Sequence, residues 1–258
     1  MLGDATMLRI ILYTFLVGVV GTMIGGIIGA IFGHRSEKSM SLLLSFSGGI
    51  MISIVCFDLI IDAIELSSIF ITASVSILGV IIIMILNDMI DSYNDKRKNS
   101  SSQVLKQNSN KYKLLKSGIV MIVAIGLHNF PEGLAVGSSL SFDFKSGLFL
   151  ALLIAFHNIP EGMAISAPLM GGGVKRIKAI LLSALAGAPT ILGAMLGFLV
   201  GGTSSLGVAI SLSFAGGAML YVVFYEIIPQ TILMNESKMP SLFVLIGMLI
   251  GLVVITMQ

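Results

Sequence analysis

Charge is scarce in this sequence: 11% of its 258 residues are Asp, Glu, Lys or Arg, while 56% are hydrophobic. A globular chain carries roughly 25% charged residues. One with so few cannot cover a folded surface with polar groups, so a water-soluble core is excluded and most of the surface must face lipid. Cysteine occurs once, at Cys56, which excludes a disulfide framework, a cysteine-based zinc ribbon and an iron-sulfur centre, since each needs several thiolates. Redox cofactors and prosthetic groups are therefore not expected. The formal net charge of +2 is too small to argue for nucleic acid as a partner.

What the chain has instead is apolar length. A bilayer core about 30 Å thick takes about 20 helical residues to cross. Runs of that kind extend over Leu8 to Phe32, Ser41 to Ile64, Ile69 to Ile90, Ser117 to Leu140, Gly147 to Met170, Ala179 to Val200, Leu206 to Leu233 and Ser241 to Met257. The reading is an all-α polytopic membrane protein of eight transmembrane helices, a single domain over residues 1–258. The first run is too long for the apolar region of a secretory signal and is read as a retained helix; the last is short and calls for local bilayer thinning. Asp91 to Lys116 is the one long connection. It holds seven Lys and Arg among Asn, Ser and Gln, the composition of a solvated, disordered loop. Placing it in the cytoplasm puts thirteen of the 15 basic residues inside, against Arg9 and Lys145 outside. A cell-membrane protein with both termini outside is expected on that count.

Two internal repeats are visible. Ser45-Phe46-Ser47-Gly48-Gly49-Ile50-Met51 in span two, continuing to Asp58, returns as Ser213-Phe214-Ala215-Gly216-Gly217-Ala218-Met219 in span seven, continuing to Glu226, at an offset of 168 residues. Spans one and six share the offset through their glycine ridges, Gly25, Gly29 and Gly33 against Gly193, Gly197 and Gly201. Those ridges let helix backbones approach closely. Spans one to three and six to eight thus form an inverted repeat, the architecture in which one bundle rocks against another around a midplane site. Spans four and five repeat more sharply: His128-Asn129-Phe130-Pro131-Glu132-Gly133 recurs as His157-Asn158-Ile159-Pro160-Glu161-Gly162.

Residues four apart share a helix face, so His128 stands over Glu132 and His157 over Glu161. At 1.5 Å per residue both pairs lie about 15 Å deep, near the midplane. Four ligands can converge there, with Asn129 and Asn158 offering further oxygens. Pro131 and Pro160 cannot donate to the carbonyls one turn earlier, so each helix is expected to kink and expose a carbonyl oxygen. Ionisable groups at such depth are costly and mark functional sites. Two carboxylates balance a divalent cation, and a nitrogen and oxygen set without thiolate suits Zn²⁺, Fe²⁺, Mn²⁺ or Co²⁺ better than Ca²⁺ or Cu⁺. Met51 is placed to present a thioether. Asp58 lies toward the outer end of span two and Glu226 toward the inner end of span seven, one carboxylate for entry and one for exit.

The paired hexapeptides, the eight spans and the basic connection after the third resemble the ZIP (Zrt/Irt-like) family of divalent metal transporters over nearly the whole chain. The resemblance implies that His128, Glu132, His157 and Glu161 form the primary metal site, with Met51 as a fifth ligand. Some members bind a second metal through the two Asn positions, the shared Glu residues and a Glu before the proline of span six. Here that stretch is Gly187-Ala188-Pro189, without a carboxylate. The expected function is transport of divalent transition metals toward the cytoplasm, zinc first, then iron(II), manganese or cadmium. The expected partners are the metal ions, the lipid bilayer and a second copy of the chain, with no nucleic acid. The competing class is an intramembrane metal-dependent hydrolase using the same ligands to activate water. It is disfavoured: no His-Glu-x-x-His pair shares one helix, no nucleophile sits beside a base, and every base in the site serves as a ligand.

Overall fold

The structure is a computed structural model that describes residues 2–32, 37–101 and 109–257. Among these residues seven helices are long and apolar enough to cross a bilayer: α1 (Met7–Ile31), α2 (Lys38–Leu66), α3 (Ile69–Met89), α4 (Leu114–Phe142), α5 (Phe144–Gly171), α6 (Arg176–Gly201) and α7 (Ser205–Met234). The eighth, α8 (Met239–Ile255), is shorter and equally apolar. Helices are the outcome that the composition dictates, because in hydrocarbon each backbone N–H and C=O must be satisfied within its own segment. The chain is an all-α polytopic membrane protein. The helix of α3 continues to Ser101 and that of α4 begins at Ser109. The stretch expected as a loop is therefore helical at both ends, and 102–108 lie outside the described residues.

The connection between the central helices is tight. Asp143 alone separates α4 from α5, and its carboxylate caps α5 by accepting from the Ser146 amide at 2.8 Å and the Ser146 hydroxyl at 2.6 Å. Those hydrogen bonds hold the exposed Asp143 carboxyl below the usual carboxylate range.

Glycine decides which helices lie backbone to backbone. A Cβ at Gly25 would meet the carbonyl of Ile159, and one at Gly193 the carbonyl of Phe130; α1 therefore lies on α5, and α6 on α4. A Cβ at Gly49 would meet the carbonyl of Val244, and one at Gly217 that of Ser76, which joins α2 to α8 and α7 to α3. Two four-helix bundles result, α1 with α4, α5 and α6, and α2 with α3, α7 and α8. Each draws on both halves of the inverted repeat: α1 and its counterpart α6 share the first bundle, α2 and its counterpart α7 the second.

Departures from α-helix fall at repeat-related places. A π-helical turn occupies Val55–Leu59 of α2 and another Val223–Ile227 of α7, carrying Asp58 and Glu226 respectively. These segments match at the 168-residue offset residue for residue. A third π turn spans Phe15–Val20 of α1, and its counterpart region in α6 is broken at Gly187 and Ala188, with Pro189 opening the second half-helix. Helices α4 and α5 run unbroken through Pro131, Pro160 and Pro168.

Candidate metal site between the central helices

The repeated hexapeptides of α4 and α5 meet at mid-span with their His and Glu side chains buried. His128, Glu132 and Glu161 show no exposure and His157 shows 1%. The pairing is crosswise. Nε2 of His128 lies 2.9 Å from Oε1 of Glu161 on the neighbouring helix, against 3.2 Å from Oε1 of Glu132 on its own. Nε2 of His157 lies 2.7 Å from Oε1 of Glu132. The one-turn spacing puts His and Glu on a common face, and the antiparallel packing lets each imidazole reach the other helix's carboxylate. Ligand atoms from all four residues lie within 4.8 Å of one another, and among the described residues this is the group of His, Cys, Asp and Glu side chains compact enough to hold one ion.

Each group keeps a spare atom. Nδ1 of both histidines, Oε2 of both glutamates and Oδ1 of Asn129 and Asn158 are buried without a hydrogen-bond partner. Buried polar atoms are rarely left in that condition. Most of these are acceptors, and a cation satisfies acceptors. In low dielectric, two carboxylates require two compensating positive charges, which two protons or one divalent ion supply.

The two asparagines are held by the irregular helices. Asn158 donates from Nδ2 to the carbonyl of Val17 in the π turn of α1 at 3.1 Å, and Asn129 donates to the carbonyl of Ala186 beside the break in α6 at 2.8 Å. Thr190 sends its N–H to Gly187 instead of Ala186, so the break leaves the Ala186 carbonyl for the amide. These contacts fix both amides with Oδ1 free. Sequence reasoning missed this anchoring. Its signal was the Gly187-Ala188-Pro189 stretch, read for its missing carboxylate and not for the carbonyl that it releases.

The second bundle approaches through α2. Ser47 is fully buried and donates to the His157 carbonyl at 3.2 Å. Met51, one turn further along the same face, is also completely buried. Asp58 and Glu226 do not join the four-residue cluster; they stand on the matched π turns of α2 and α7. Two small cavities with carboxylates in their walls lie elsewhere along these helices. One, about 220 Å³, is lined by Asp62, Glu65, Ser139 and Asp143 near the α4–α5 connection; the other, about 210 Å³, is lined by Asn87, Tyr225, Glu226 and Gln230.

A polytopic helical protein with an enclosed two-histidine, two-glutamate centre and inverted repeats is a carrier for divalent metal ions. The comparisons with known proteins agree. The sequence profile described as ZIP Zinc transporter matches residues 87–257. The chain is 33% identical to the zinc transporter ZupT of Chlorobaculum parvum over 228 residues, covering 84% of this chain and 85% of the relative. It is 34% identical to the ZupT of Lysinibacillus sphaericus over 239 residues, 88% of each. A shorter stretch of 116 residues is 40% identical to the zinc transporter GufA of Myxococcus xanthus, 45% of this chain and 46% of that one. The chain belongs to the ZIP family.

Proposed function

We propose that this protein carries Zn²⁺ toward the cytoplasm, with His128, Glu132, His157 and Glu161 as the transporting ligands and Met51 as a fifth. The observation that carries this reading is the crosswise pairing of two imidazoles with two carboxylates inside one 4.8 Å cluster. Nitrogen and oxygen donors at a doubly negative, dehydrated centre match Zn²⁺ and, less closely, Fe²⁺, Mn²⁺ and Cd²⁺. The names of the ZupT and GufA relatives support zinc as the cargo. Asn129 and Asn158 present their unpartnered Oδ1 atoms as further ligands.

Asp58 and Glu226, on π turns at matched positions of the repeat, serve the pathway on opposite sides of the site. The cavity lined by Glu226, and the one lined by Asp62 one turn beyond Asp58, support this reading. Transport proceeds by movement of one four-helix bundle against the other, which exposes the buried ligands to each side in turn. The metal is cargo and no reaction is catalysed. The distribution of Lys and Arg supports termini outside the cell, and the protein works in the bilayer as a homodimer.

The decisive experiment is uptake of ⁶⁵Zn²⁺ by proteoliposomes holding the purified full chain, in parallel with a scan of Fe²⁺, Mn²⁺ and Cd²⁺ as competitors. Saturable uptake inhibited best by unlabelled Zn²⁺ is expected. Uptake indifferent to Zn²⁺ but inhibited by Mn²⁺ or Fe²⁺ reassigns the cargo.

A further inference from the structure

The central helices are repeat partners at an offset of 29 residues, His128 to His157, and each has a cavity against it at the same repeat position. On α4 the cavity touches Val120, Val123 and Ala124; on α5 it touches Phe149, Leu152 and Leu153, the residues 29 further on. The other walls differ in chemistry. The α4 cavity is completed by Asn87, Tyr225, Glu226 and Gln230, which bring amide, phenol and carboxylate groups to it. The α5 cavity, about 380 Å³, is completed by Phe46, Ile50, Phe156, Ile250 and Val254.

Polar residues touch this second cavity only as Ser47 and His157, and the Ser47 hydroxyl is already engaged by the His157 carbonyl. The cleft opens sideways. Leu152, Phe156 and Ile250 along it are 53%, 67% and 45% exposed, and Leu152 and Phe156 lie near the middle of α5, where the surroundings are hydrocarbon and not water. Its walls belong to both bundles, α5 on one side and α2 with α8 on the other. It therefore occupies the seam, directly behind a ligand residue of the metal site.

We propose that this cleft binds an acyl chain of a bilayer phospholipid, and that the chain, wedged between the bundles, sets the rate at which they move. Depth and a lateral mouth exclude water as the occupant, and an apolar wall gives a peptide or a headgroup nothing to bond to. The repeat-related cavity carries an amide, a phenol and a carboxylate at the same position, groups that this cleft lacks. The binding half of the proposal stands on the cleft alone; the rate half rests on the two-bundle movement proposed above.

The test uses the full chain in proteoliposomes containing a phosphatidylcholine with a photoreactive diazirine in mid-chain. Labelling at Leu152, Phe156 and Ile250 is expected to exceed that at Phe70, Ile77 and Leu78, the exposed residues of α3, by at least about fivefold. Leu152→Trp, with Ile250→Phe as a second variant, is expected to remove the label and to change zinc turnover at least about twofold while leaving zinc affinity unchanged. Ile77→Trp on α3 should change neither. Equal labelling of the cleft and α3 overturns the binding site. Label lost with turnover unchanged overturns the role in rate, and because these variants still take up zinc, the metal-site reading survives that outcome.

Discussion

The bundle of α1, α4, α5 and α6 and the bundle of α2, α3, α7 and α8 are built by the same device. In each, glycine removes the side chain where one helix lies on another's carbonyl: Gly25 and Gly193 in the first, Gly49 and Gly217 in the second. They differ in what they hold. The four side chains of the compact His and Glu cluster all belong to the first bundle, whereas the second contributes Ser47, bonded to the His157 carbonyl, the buried Met51, and Asp58 and Glu226 outside the cluster. Between the bundles the pattern changes. Among the described glycines, none outside the α6–α7 connection is pressed against backbone across the seam. Backbone-to-backbone packing is stiff, since neither partner has a rotamer to change, while side-chain packing can be re-formed after a shift. The difference bears on the proposed transport: the candidate ligands belong to a rigid unit, and the contacts that can be re-formed lie at the seam.

The sharpest way to break this comparison is to remove charge from each bundle. Glu132→Ala or Glu161→Ala leaves a divalent ion half-neutralised in low dielectric, a loss of several kcal/mol, and abolishes zinc uptake by protein that is still inserted and folded. Asp58→Asn and Glu226→Gln remove carboxylates that lie outside the cluster. They are expected to slow uptake up to about tenfold without weakening zinc binding, since a steering charge acts on rate. Zinc uptake at the normal rate by either Glu→Ala variant, measured in proteoliposomes, would dismiss the first bundle as the carrier of the ion.

Packing offers the next test. Gly193→Ala drives a methyl group into the Phe130 backbone, and Gly48→Ala meets only the side chains of Ile227 at 3.2 Å and Val223 at 3.9 Å. Overpacking against backbone costs about 1–3 kcal/mol; a neighbour that can turn aside costs a few tenths. Thermal unfolding in detergent should therefore drop clearly for Gly193→Ala and barely for Gly48→Ala. Equal drops would remove the contrast in stiffness between backbone and side-chain packing.

Proton competition follows in size. The His128–Glu161 and His157–Glu132 contacts are at hydrogen-bond distance, and a proton held in either is one that a bound ion would displace. Lower pH favours the protonated, metal-free state. Zinc affinity is accordingly expected to fall by at least about tenfold from about pH 7.5 to about pH 5.5, with proton release on binding. Calorimetry in buffers of different ionisation enthalpy measures both. Affinity independent of pH across this window would mean that the crosswise pairs are not what the metal replaces.

Much of this was legible in the sequence, and the reason is periodicity. Two hexapeptides with His and Glu one turn apart had to share helix faces, and apolar runs of membrane length had to be helices. The 168-residue offset foretold that α2 and α7 would correspond, and it extends to the π turns that carry Asp58 and Glu226. Contacts between helices were not legible. The shared face placed His128 over Glu132, but the shorter contact is with Glu161, because the antiparallel arrangement of α4 and α5 decides which oxygen is nearer. The anchoring of Asn129 and Asn158 depends on carbonyls freed by a break in α6 and a π turn in α1. No spacing rule announces these, since each arises from the departure of a helix from its ideal period.

Ser47 carries the smallest prediction and the one that acts on the seam itself. The two repeats align Ser47 with Ala215, so the hydroxyl that ties α2 to the backbone of a ligand residue has no counterpart in α7. A neutral hydrogen bond contributes about 0.5–1.5 kcal/mol, which is about 2- to 12-fold in the balance between arrangements of the bundles. It reaches the candidate site only through the His157 carbonyl, whereas the proposed ligand atom of His157 is on its ring. Ser47→Ala is therefore expected to change the turnover of zinc transport a few-fold while leaving zinc affinity as it was, and Ser47→Thr, which keeps the hydroxyl, should stay near the original turnover. Rapid-mixing uptake separates the two quantities. A change in affinity with turnover intact would place Ser47 in the metal site and not on the hinge between bundles.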